Sequence, residues 1–309
     1  MKRLTRSLIA AFTLGWALLL AAADMDYGLA PEQIAPDTWV LTGRSEDFST
    51  GNGGNIVNTA FVVTEAGVVV IDSGPSRAYG EQLRRAIGRI TPKPVVLVVD
   101  THHHPDHFLG NQAFPPDTLA ALPGTRHGID TEGGALNENM YRLVGDWMAG
   151  TEVVTPARSL TAGPLEMGGH RFELLALDGH TAADLAILDR STGVLFAGDL
   201  VFNDRAPTTP HANLSAWQNA LGTLEKLPFK RLVPGHGPVA RDAAPIRQTR
   251  AWLAWLDRRL RQAADEGLDM TEVLALPLPP EFRQLAVADA EFRRSVGQLY
   301  PAYEQQALR

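Results

Sequence analysis

Hydrophobic residues in the first half of the chain follow a strand pattern and then a helix pattern. Two runs of β-branched and aromatic residues, 60–63 and 68–71, are joined by the short segment 64–67, which predicts a β-hairpin. Ser76 then begins a segment that predicts a helix with this serine as its N-cap. The apolar positions of that helix are Leu83, Ala86, Ile87 and Ile90. Two prolines end it, and the segment 94–99 predicts a buried strand.

The second half of the chain repeats this order of elements. Residues 184–188 and 194–197 predict another hairpin, and apolar residues at helical spacing predict a helix after it. These apolar residues are Leu214, Trp217, Leu221 and Leu224. A short strand is predicted at 231–233. Because both halves place polar residues at strand ends, we expect two packed sheets flanked by helices, with a groove along one edge.

The remaining segments predict a cover for this groove and a helical C-terminus. Residues 114–124 are rich in Pro and Gly, and residues 131–150 predict a helix interrupted by glycines; both are expected over the groove mouth. Residues 251–256 predict an amphipathic helix, and the arginines beside it are expected on its solvated face. A last helix is predicted for 281–298, with a packing role.

The first residues have the composition of a secretory signal peptide. Three basic residues precede an apolar run at 8–20, and alanines occupy 21–23. The run is short for a membrane helix, so we expect cleavage near Ala23, no stable membrane span afterwards, and a periplasmic or secreted protein. The expected units are a signal peptide at 1–23, a main domain at 24–265 and a C-terminal helical extension packed on it at 266–309.

The composition excludes some classes of function. The chain has 28 basic and 35 acidic residues and a formal net charge of −7, and loss of the three basic residues of the signal peptide brings this to −10. A chain this acidic is a poor ligand for nucleic acid. It contains no Cys, which excludes disulfides, thiolate metal ligands and a thiolate nucleophile.

The segment Thr101 to His107 has the pattern of a metal-binding loop. It reads Thr-His-His-His-Pro-Asp-His, so that imidazoles and a carboxylate follow each other as His-x-His-x-Asp-His. Imidazole nitrogens and carboxylate oxygens suit zinc and iron, and the loop is predicted to bind a divalent metal ion. His103 lies between two ligand positions and is expected to point away from the metal.

Three further residues of ligand type follow predicted strand ends. They are His180 in Asp-Gly-His-Thr, Asp199 in Ala-Gly-Asp, and His236 in Pro-Gly-His-Gly. Each of them alone is more often structural than a ligand. Their order after the His-x-His-x-Asp-His loop indicates one shared site, and Asp72 at the end of the first hairpin adds a carboxylate.

Together these residues resemble the motifs of the metallo-β-lactamase superfamily over roughly residues 38–240. The resemblance implies an α/β fold, a four-layer αββα sandwich of two similar halves, with two Zn²⁺ ions expected and iron as an alternative. It implies His102, His104 and His180 on the first ion, Asp106, His107 and His236 on the second, and Asp199 bridging both. Asp72 would support the ligating imidazoles.

Particular residues favour one branch of this superfamily. The lack of Cys excludes the lactamases that use a cysteine on the second metal, and Asp199 is typical of the glyoxalase II-like hydrolases. His104 stands where the flavodiiron reductases carry Glu. The segments 54–63, 73–76 and 197–207 are similar to the quinoprotein relay system zinc metallohydrolases, periplasmic proteins associated with dehydrogenases dependent on pyrroloquinoline quinone (PQQ).

The resemblance implies a metal-dependent hydrolase of an ester, thioester or amide-like bond in a small molecule. Two metals that share a water molecule lower its pKa towards about 7 and so produce a bridging hydroxide; Asp106 would orient it and receive the proton that the water loses. Two alternatives stay open. One is a mono-iron sulfur (persulfide) dioxygenase with His102, His180 and Asp199 as ligands, and the other is a non-catalytic accessory protein that holds metal or quinone for a dehydrogenase.

Candidate substrate contacts come from polar residues near the expected groove. Asn58 is either a turn residue or a donor to the substrate, and Arg205 meets either a substrate anion or a neighbouring carboxylate. His211 and His127 lie in segments that can reach the groove mouth. His170 is expected to be a surface turn residue.

Overall fold

The structure, a computed structural model, describes residues 25–308. The signal peptide predicted for 1–23 lies outside these residues. None of the helices in the described part combines the length and the apolar composition that a membrane span needs.

The described residues form twelve strands and seven α-helices, with short 3₁₀ turns between some of them. The strands are β1 (Glu32–Ala35), β2 (Thr38–Leu41), β3 (Thr59–Val63), β4 (Val68–Ile71), β5 (Val95–Asp100), β6 (Leu119–Ala121), β7 (Arg158–Ser159), β8 (Gly163–Met167), β9 (His170–Leu177), β10 (Asp184–Asp189), β11 (Val194–Phe196) and β12 (Arg231–Val233). The helices are α1 (Arg77–Ile90), α2 (Pro105–Phe108), α3 (Pro123–Val144), α4 (Leu214–Leu224), α5 (Ala244–Asp265), α6 (Met270–Leu274) and α7 (Ala288–Ala307).

The strands build two mixed sheets. The first has the order β1-β2-β3-β4-β5-β6-β7, antiparallel from β1 to β4 and parallel from β4 to β7. The second has the order β12-β11-β10-β9-β8 and is antiparallel except for the parallel pair β11 and β12. Both predicted hairpins, β3 with β4 and β10 with β11, are present.

Alternation of side chains along each strand explains how the sheets and helices stack. Val69 and Ile71 of β4 belong to the core between the two sheets, whereas Val70 packs on the other face against α1. In β10, Ile187 faces the first sheet and Leu188 faces the cluster formed with α4, α5 and α7. The four layers are therefore helix, sheet, sheet and helix, which confirms the predicted αββα sandwich with helices at its C-terminus.

The predicted N-cap of α1 is also present. The Ser76 side chain accepts a hydrogen bond from the backbone N–H of Tyr79, and the helix ends at Ile90, before the two prolines. Leu83, Ala86 and Ile87 form its buried face, while Ile90 is exposed.

The prediction of a helix interrupted by glycines at 131–150 is correct only at Gly145, where helix α3 stops and a 3₁₀ turn follows. Helix α3 begins at Pro123 and runs unbroken to Val144, through several glycines. These glycines permit close contacts: a Cβ at Gly128 would lie 2.6 Å from Cγ of His103, and one at Gly133 would lie 2.9 Å from Val153. Gly in α3 therefore allows packing against the metal loop without ending the helix.

The last helix also differs from its prediction at 281–298. Helix α7 begins at Ala288 because Ala286 pairs as an extended residue with the segment around Arg205. Its N–H donates to the carbonyl of Asp204, and its carbonyl accepts from Ala206. This pairing connects residues more than 80 positions apart, and no local pattern predicts it.

Candidate metal centre

The metal loop lies at the C-terminal end of β5 and continues directly into α2. Pro105 occupies the first turn of α2, where its missing N–H costs nothing, and it fixes the start of the helix between the two pairs of ligand residues. His102 and His104 precede Pro105, and Asp106 and His107 follow it. All four side chains are buried.

Asp72 supports this loop from the end of β4. Its Oδ1 accepts a hydrogen bond from the N–H of Thr101 at 2.7 Å, and its Oδ2 accepts one from the Thr101 hydroxyl at 2.9 Å. Oδ2 also lies 2.8 Å from Nδ1 of His107. Asp72 adopts the left-handed backbone region, with φ of 60°, which aims its carboxylate at the loop. Asp72 thus lies where the carboxylate that the resemblance implies could support the loop.

The three residues expected on the first metal lie together beside Asp199. Nδ1 of His104 lies 2.8 Å from Nε2 of His180. Oδ2 of Asp199 lies 3.4 Å from Nε2 of His180 and 3.9 Å from Nε2 of His102. These four residues form one group with converging ligand atoms.

The three residues expected on the second metal lie on the other side of Asp199. Nε2 of His107 lies 3.1 Å from Oδ1 of Asp199, and Nε2 of His236 lies 3.2 Å from its Oδ2. Oδ2 of Asp106 lies 3.4 Å from Nε2 of His236 and 3.7 Å from Nε2 of His107. Asp106, His107 and His236 form a second group. Asp199 therefore lies between the two groups, as a bridging carboxylate would.

Hydrogen bonds on the far side of each ring orient these imidazoles. Nδ1 of His236 lies 2.7 Å from the carbonyl oxygen of Ile56, and Nδ1 of His102 lies 3.1 Å from the Thr101 hydroxyl. With the bond of His107 to Asp72, these contacts leave the Nε2 atoms of His102, His107 and His236 directed at the centre. Such outer contacts fix the ring orientation of metal ligands.

Unpartnered atoms show that the site fits metal ions. Nε2 of His102, Nε2 of His107 and Oδ1 of Asp199 are buried and make no hydrogen bond. A buried polar atom without a partner costs about 1–3 kcal/mol, so three of them in one small volume need an explanation. Metal ions held by imidazole and carboxylate would satisfy them, and this donor set suits zinc.

The pKa values of the first ligand group favour the protonation states that bind metal. Burial lowers the pKa of His102 and His104 well below the usual range and that of His180 to about 3, so these rings are neutral and have a free lone pair. For Asp199, burial favours the neutral acid, but the neighbouring His236 and His107 outweigh it and hold its pKa well below the usual value. In this first group, the three neutral imidazoles and the ionised carboxylate are in the protonation states that a metal requires.

Gly235 allows the loop of His236 to approach the centre. A Cβ at this position would lie 1.9 Å from Oδ1 of Asp199, so any other residue would displace this carboxylate. The N–H of Gly235 also donates to the carbonyls of Gly198 and Val201, which ties the two ligand loops together.

A cavity of about 410 Å³ opens onto the metal centre. Apart from the ligand residues, its walls come from four separate parts of the chain and are partly apolar. The lining residues that are not ligands include Phe48, Ile56, Leu136, Leu143, Arg205, Pro210, His211, Glu291 and Arg294. Helix α3 thus covers the cavity as expected. Helix α7 also reaches it, so the expectation that the last helix only packs is incomplete.

Two of the candidate substrate contacts have structural partners. The amide of Asn58 donates to the carbonyls of Pro234 and Gly237 and accepts from the N–H of Gly43, so it supports the His236 loop instead of facing the cavity. The buried Arg205 forms an ion pair with Glu291 at 3.2 Å, which is the neighbouring-carboxylate alternative.

The other histidines differ in position. His211 lines the cavity, and its Nδ1 lies 2.8 Å from Nε2 of His104. His103 points away from the centre, towards Glu132 on α3, and His127 is exposed on the same helix. The surface position expected for His170 is wrong, because this residue is buried on β9 and pairs with Asp189 at 2.9 Å.

Sequence reasoning missed Glu291 and Arg294 as cavity residues. Both lie on α7, whose start depends on the pairing of Ala286 with the segment around Arg205. Glu132 was missed as well, because its approach to His211 depends on the uninterrupted path of α3. No motif in the sequence marks either contact.

Comparisons with known proteins agree with this geometry. A family model described as the metallo-beta-lactamase superfamily matches residues 52–236. An acyl-coenzyme A thioesterase from Gallus gallus is 24% identical over 212 residues, which cover 59% of this chain and 73% of that protein. A metallo-beta-lactamase from Chryseobacterium indologenes is 27% identical over 185 residues, 58% of this chain and 71% of that protein. The solved structure of a metallo-beta-lactamase from Pontibacter korlensis shares the fold, with a TM-score of 0.57 and 24% identity over 73% of this chain and 99% of that one.

Proposed function

Since the chain belongs to the metallo-beta-lactamase superfamily and is a hydrolase of that class, we propose that it uses two zinc ions to cleave an ester, thioester or amide-like bond in a small molecule. One observation carries the two-metal proposal. Oδ2 of Asp199 lies 3.4 Å from His180 and 3.2 Å from His236, which belong to different ligand groups. A single carboxylate in that place holds two ions close enough to act on one substrate.

In the proposed hydrolysis, Asp106 and the cavity walls have separate roles beside the metal ions. When bound, the zinc ions would polarise the scissile carbonyl and lower the pKa of a water molecule. Asp106 lines the cavity next to His236, and its carboxylate is placed to orient the attacking water and to accept its proton. Helix α3 and the segment around Phe48 limit access of bulk water to that carboxylate.

The cavity walls favour a substrate with an apolar group beside the cleaved bond. Phe48, Ile56, Leu136, Leu143 and Pro210 surround the approach to the ligands. Apolar walls with few polar groups bind apolar parts of small molecules. Together with the thioesterase named among the relatives, this supports a thioester or ester of an apolar acid.

The proposed location is the periplasm or the outside of the cell, after removal of the signal peptide. The composition of residues 1–23 supports it. A role beside a PQQ-dependent quinoprotein dehydrogenase is proposed from the sequence likeness at 54–63, 73–76 and 197–207. A nucleic-acid partner is not proposed, because the chain is acidic.

The two alternative functions, a dioxygenase and an accessory protein, differ from the hydrolase in the ligands and the cavity that they need. A mono-iron dioxygenase needs only the ligands around His102, His180 and Asp199. The second group of Asp106, His107 and His236 converges on the same aspartate, and this favours two ions. A protein that only stores metal has no need of a cavity of about 410 Å³ opening onto the ligands, so the cavity argues against a pure metal store.

The test combines metal quantification with a substrate panel. Protein expressed without added metal should contain about two zinc ions per chain and hydrolyse at least one ester, thioester or lactam, including a chromogenic cephalosporin. His236→Ala should reduce the content to about one ion and abolish turnover. The exposed His127→Ala is the matched control and should keep both ions. One iron without zinc would support the dioxygenase instead. Two zinc ions, no turnover of the panel and binding of PQQ would support the accessory protein.

A further inference from the structure

A line of polar contacts leads away from the metal centre through His104. Its Nδ1 faces the first ligand group, 2.8 Å from Nε2 of His180. Its Nε2 lies 2.8 Å from Nδ1 of His211, in the loop before α4. Nε2 of His211 lies 3.0 Å from Oε2 of Glu132, on α3. Two imidazoles and a carboxylate thus connect the ligand group to the rim of the cavity.

The protonation of this line follows from the role of His104. A ligand that binds metal through the lone pair of Nδ1 carries its proton on Nε2. That N–H donates to Nδ1 of His211, which must then carry its own proton on Nε2. The N–H of His211 then faces the carboxylate of Glu132, 3.0 Å away, as an ion-pair contact. With neutral rings, this arrangement directs one N–H from His104 to His211 and the other from His211 towards Glu132.

We propose that His211 and Glu132 are positioning residues for the first metal, acting through His104. The inference rests on the proposed function in one respect, the use of His104 as a ligand. The two contacts fix the ring plane of His104, and the carboxylate at the far end makes its Nδ1 a stronger electron donor. Removal of outer partners of this kind typically lowers metal affinity by about 10–100-fold.

The same histidines suggest a competing interpretation as an additional metal site. Nε2 of His103 is buried without a partner, and it lies 3.8 Å from the Oε2 of Glu132 that His211 also meets. An ion bound by His103, His211 and Glu132 would need the lone pair of Nε2 on His211. The proton of that ring would then be on Nδ1, opposed to the N–H of His104 across 2.8 Å. Metal on His104 therefore disfavours a third ion, and the line of hydrogen bonds is the better account.

The experiment titrates zinc from the fully loaded protein with a competing chelator. His211→Leu removes Nδ1, the acceptor for His104. It should lower the affinity for one of the two zinc ions by about 10–100-fold and leave the affinity for the other unchanged. His211→Asn keeps an acceptor near the position of Nδ1 and should restore most of the affinity. Glu132→Gln keeps an acceptor without the charge and should cause a smaller loss. His103→Gln is the matched control, because this residue also faces Glu132, and it should bind both ions as the unchanged protein does.

A spectroscopic measurement separates positioning from general support of the fold. Protein loaded with Co²⁺ should show an exchangeable, hyperfine-shifted N–H resonance from His104 that is slow to exchange with solvent. That resonance should exchange faster or disappear in His211→Leu and persist in His103→Gln, and the two variants should have similar melting temperatures when both are free of metal.

Two results would overturn the inference. One is unchanged affinity for both zinc ions in His211→Leu. The other is a third zinc ion in the unchanged protein that both His103→Gln and His211→Leu lose. Neither measurement requires a substrate. If His211→Leu binds zinc more weakly and the unchanged protein hydrolyses no substrate, only the hydrolysis proposal is rejected. If the unchanged protein hydrolyses a substrate and His211→Leu keeps its zinc affinity, only the positioning role is rejected.

Discussion

At the scale of single residues, Asp199 contributes both of its oxygens to the metal centre. Oδ1 faces His107, and Oδ2 faces His180 and His236. The carboxylate is fully buried, and the nearby imidazoles hold its pKa well below the usual range. Its negative charge is therefore a permanent part of the site, and it would offset part of the charge of the two proposed cations.

The variant Asp199→Asn tests whether the charge of this carboxylate, and not only its shape, is needed. The amide has nearly the same volume but no charge, so we expect weaker binding of the second metal and a loss of turnover of at least about 100-fold. Elemental analysis and a rate measurement on the same preparation test this. Unchanged metal content and unchanged rate would show that Asp199 does not bridge two ions.

At the scale of elements, α3 combines a covering role with unusually close packing. Gly128 lets the helix lie against His103, whereas a Cβ added at Gly134, further along the same helix, would meet no atom within 4 Å. Two glycines of one helix thus have opposite surroundings. Substitutions at these two glycines can therefore distinguish the effect of close packing from the effect of helix propensity.

Gly128→Ala should destabilise the protein by about 1–3 kcal/mol, because the new methyl group overlaps the His103 ring 2.6 Å away. Gly134→Ala is the matched control and should stabilise by up to about 1 kcal/mol, since Ala favours the helix and meets no neighbour. Urea unfolding measures both free energies. Equal effects of the two substitutions would contradict the close contact.

The contact between α7 and the segment of Arg205 is the second test at this scale. Arg205→Met leaves the buried Glu291 with only Arg294 as an ionic partner, at 3.1 Å, and should cost about 3 kcal/mol of unfolding free energy. The double variant Arg205→Met with Glu291→Leu should recover much of this loss. A double-mutant cycle from thermal or urea unfolding measures the coupling. Additive losses would mean that the two side chains do not interact.

The sequence predicts local elements and contiguous ligands well, for a physical reason. The hairpins and the cap at Ser76 depend on neighbours within a few residues, and the His-x-His-x-Asp-His loop keeps four ligand residues within six positions. The continuity of α3 and the start of α7 depend on contacts with distant segments. The contact of His211 with Glu132 spans 79 positions for the same reason, and no periodicity encodes it.

At the scale of the whole molecule, the metal centre joins both sheets. The first sheet supplies the loop of His102 to His107 after β5, and the second supplies His180 after β9 and His236 after β12. Ions bound by both sheets cross-link the two halves of the sandwich. Metal binding should therefore contribute to the stability of the entire fold.

Removal of the metal should lower the melting temperature of the whole molecule in one cooperative transition. At a free zinc concentration about 1,000 times Kd, bound zinc stabilises by about 4 kcal/mol per site, and a chelator abolishes that contribution. Calorimetry with and without chelator, followed by return of excess zinc, measures the change. An identical melting temperature in all three samples would mean that no metal connects the sheets.

Helix α7 lies beyond the range 52–236 that the family model matches, yet it supplies Glu291 and Arg294 to the cavity. In the proposed reaction, the metal ligands and part of the cavity wall that meets the substrate therefore lie in different stretches of the chain. An alignment over the matched range alone compares the ligands and leaves these wall residues out. Substitutions in α7 should therefore change the substrate preference while every metal ligand stays the same.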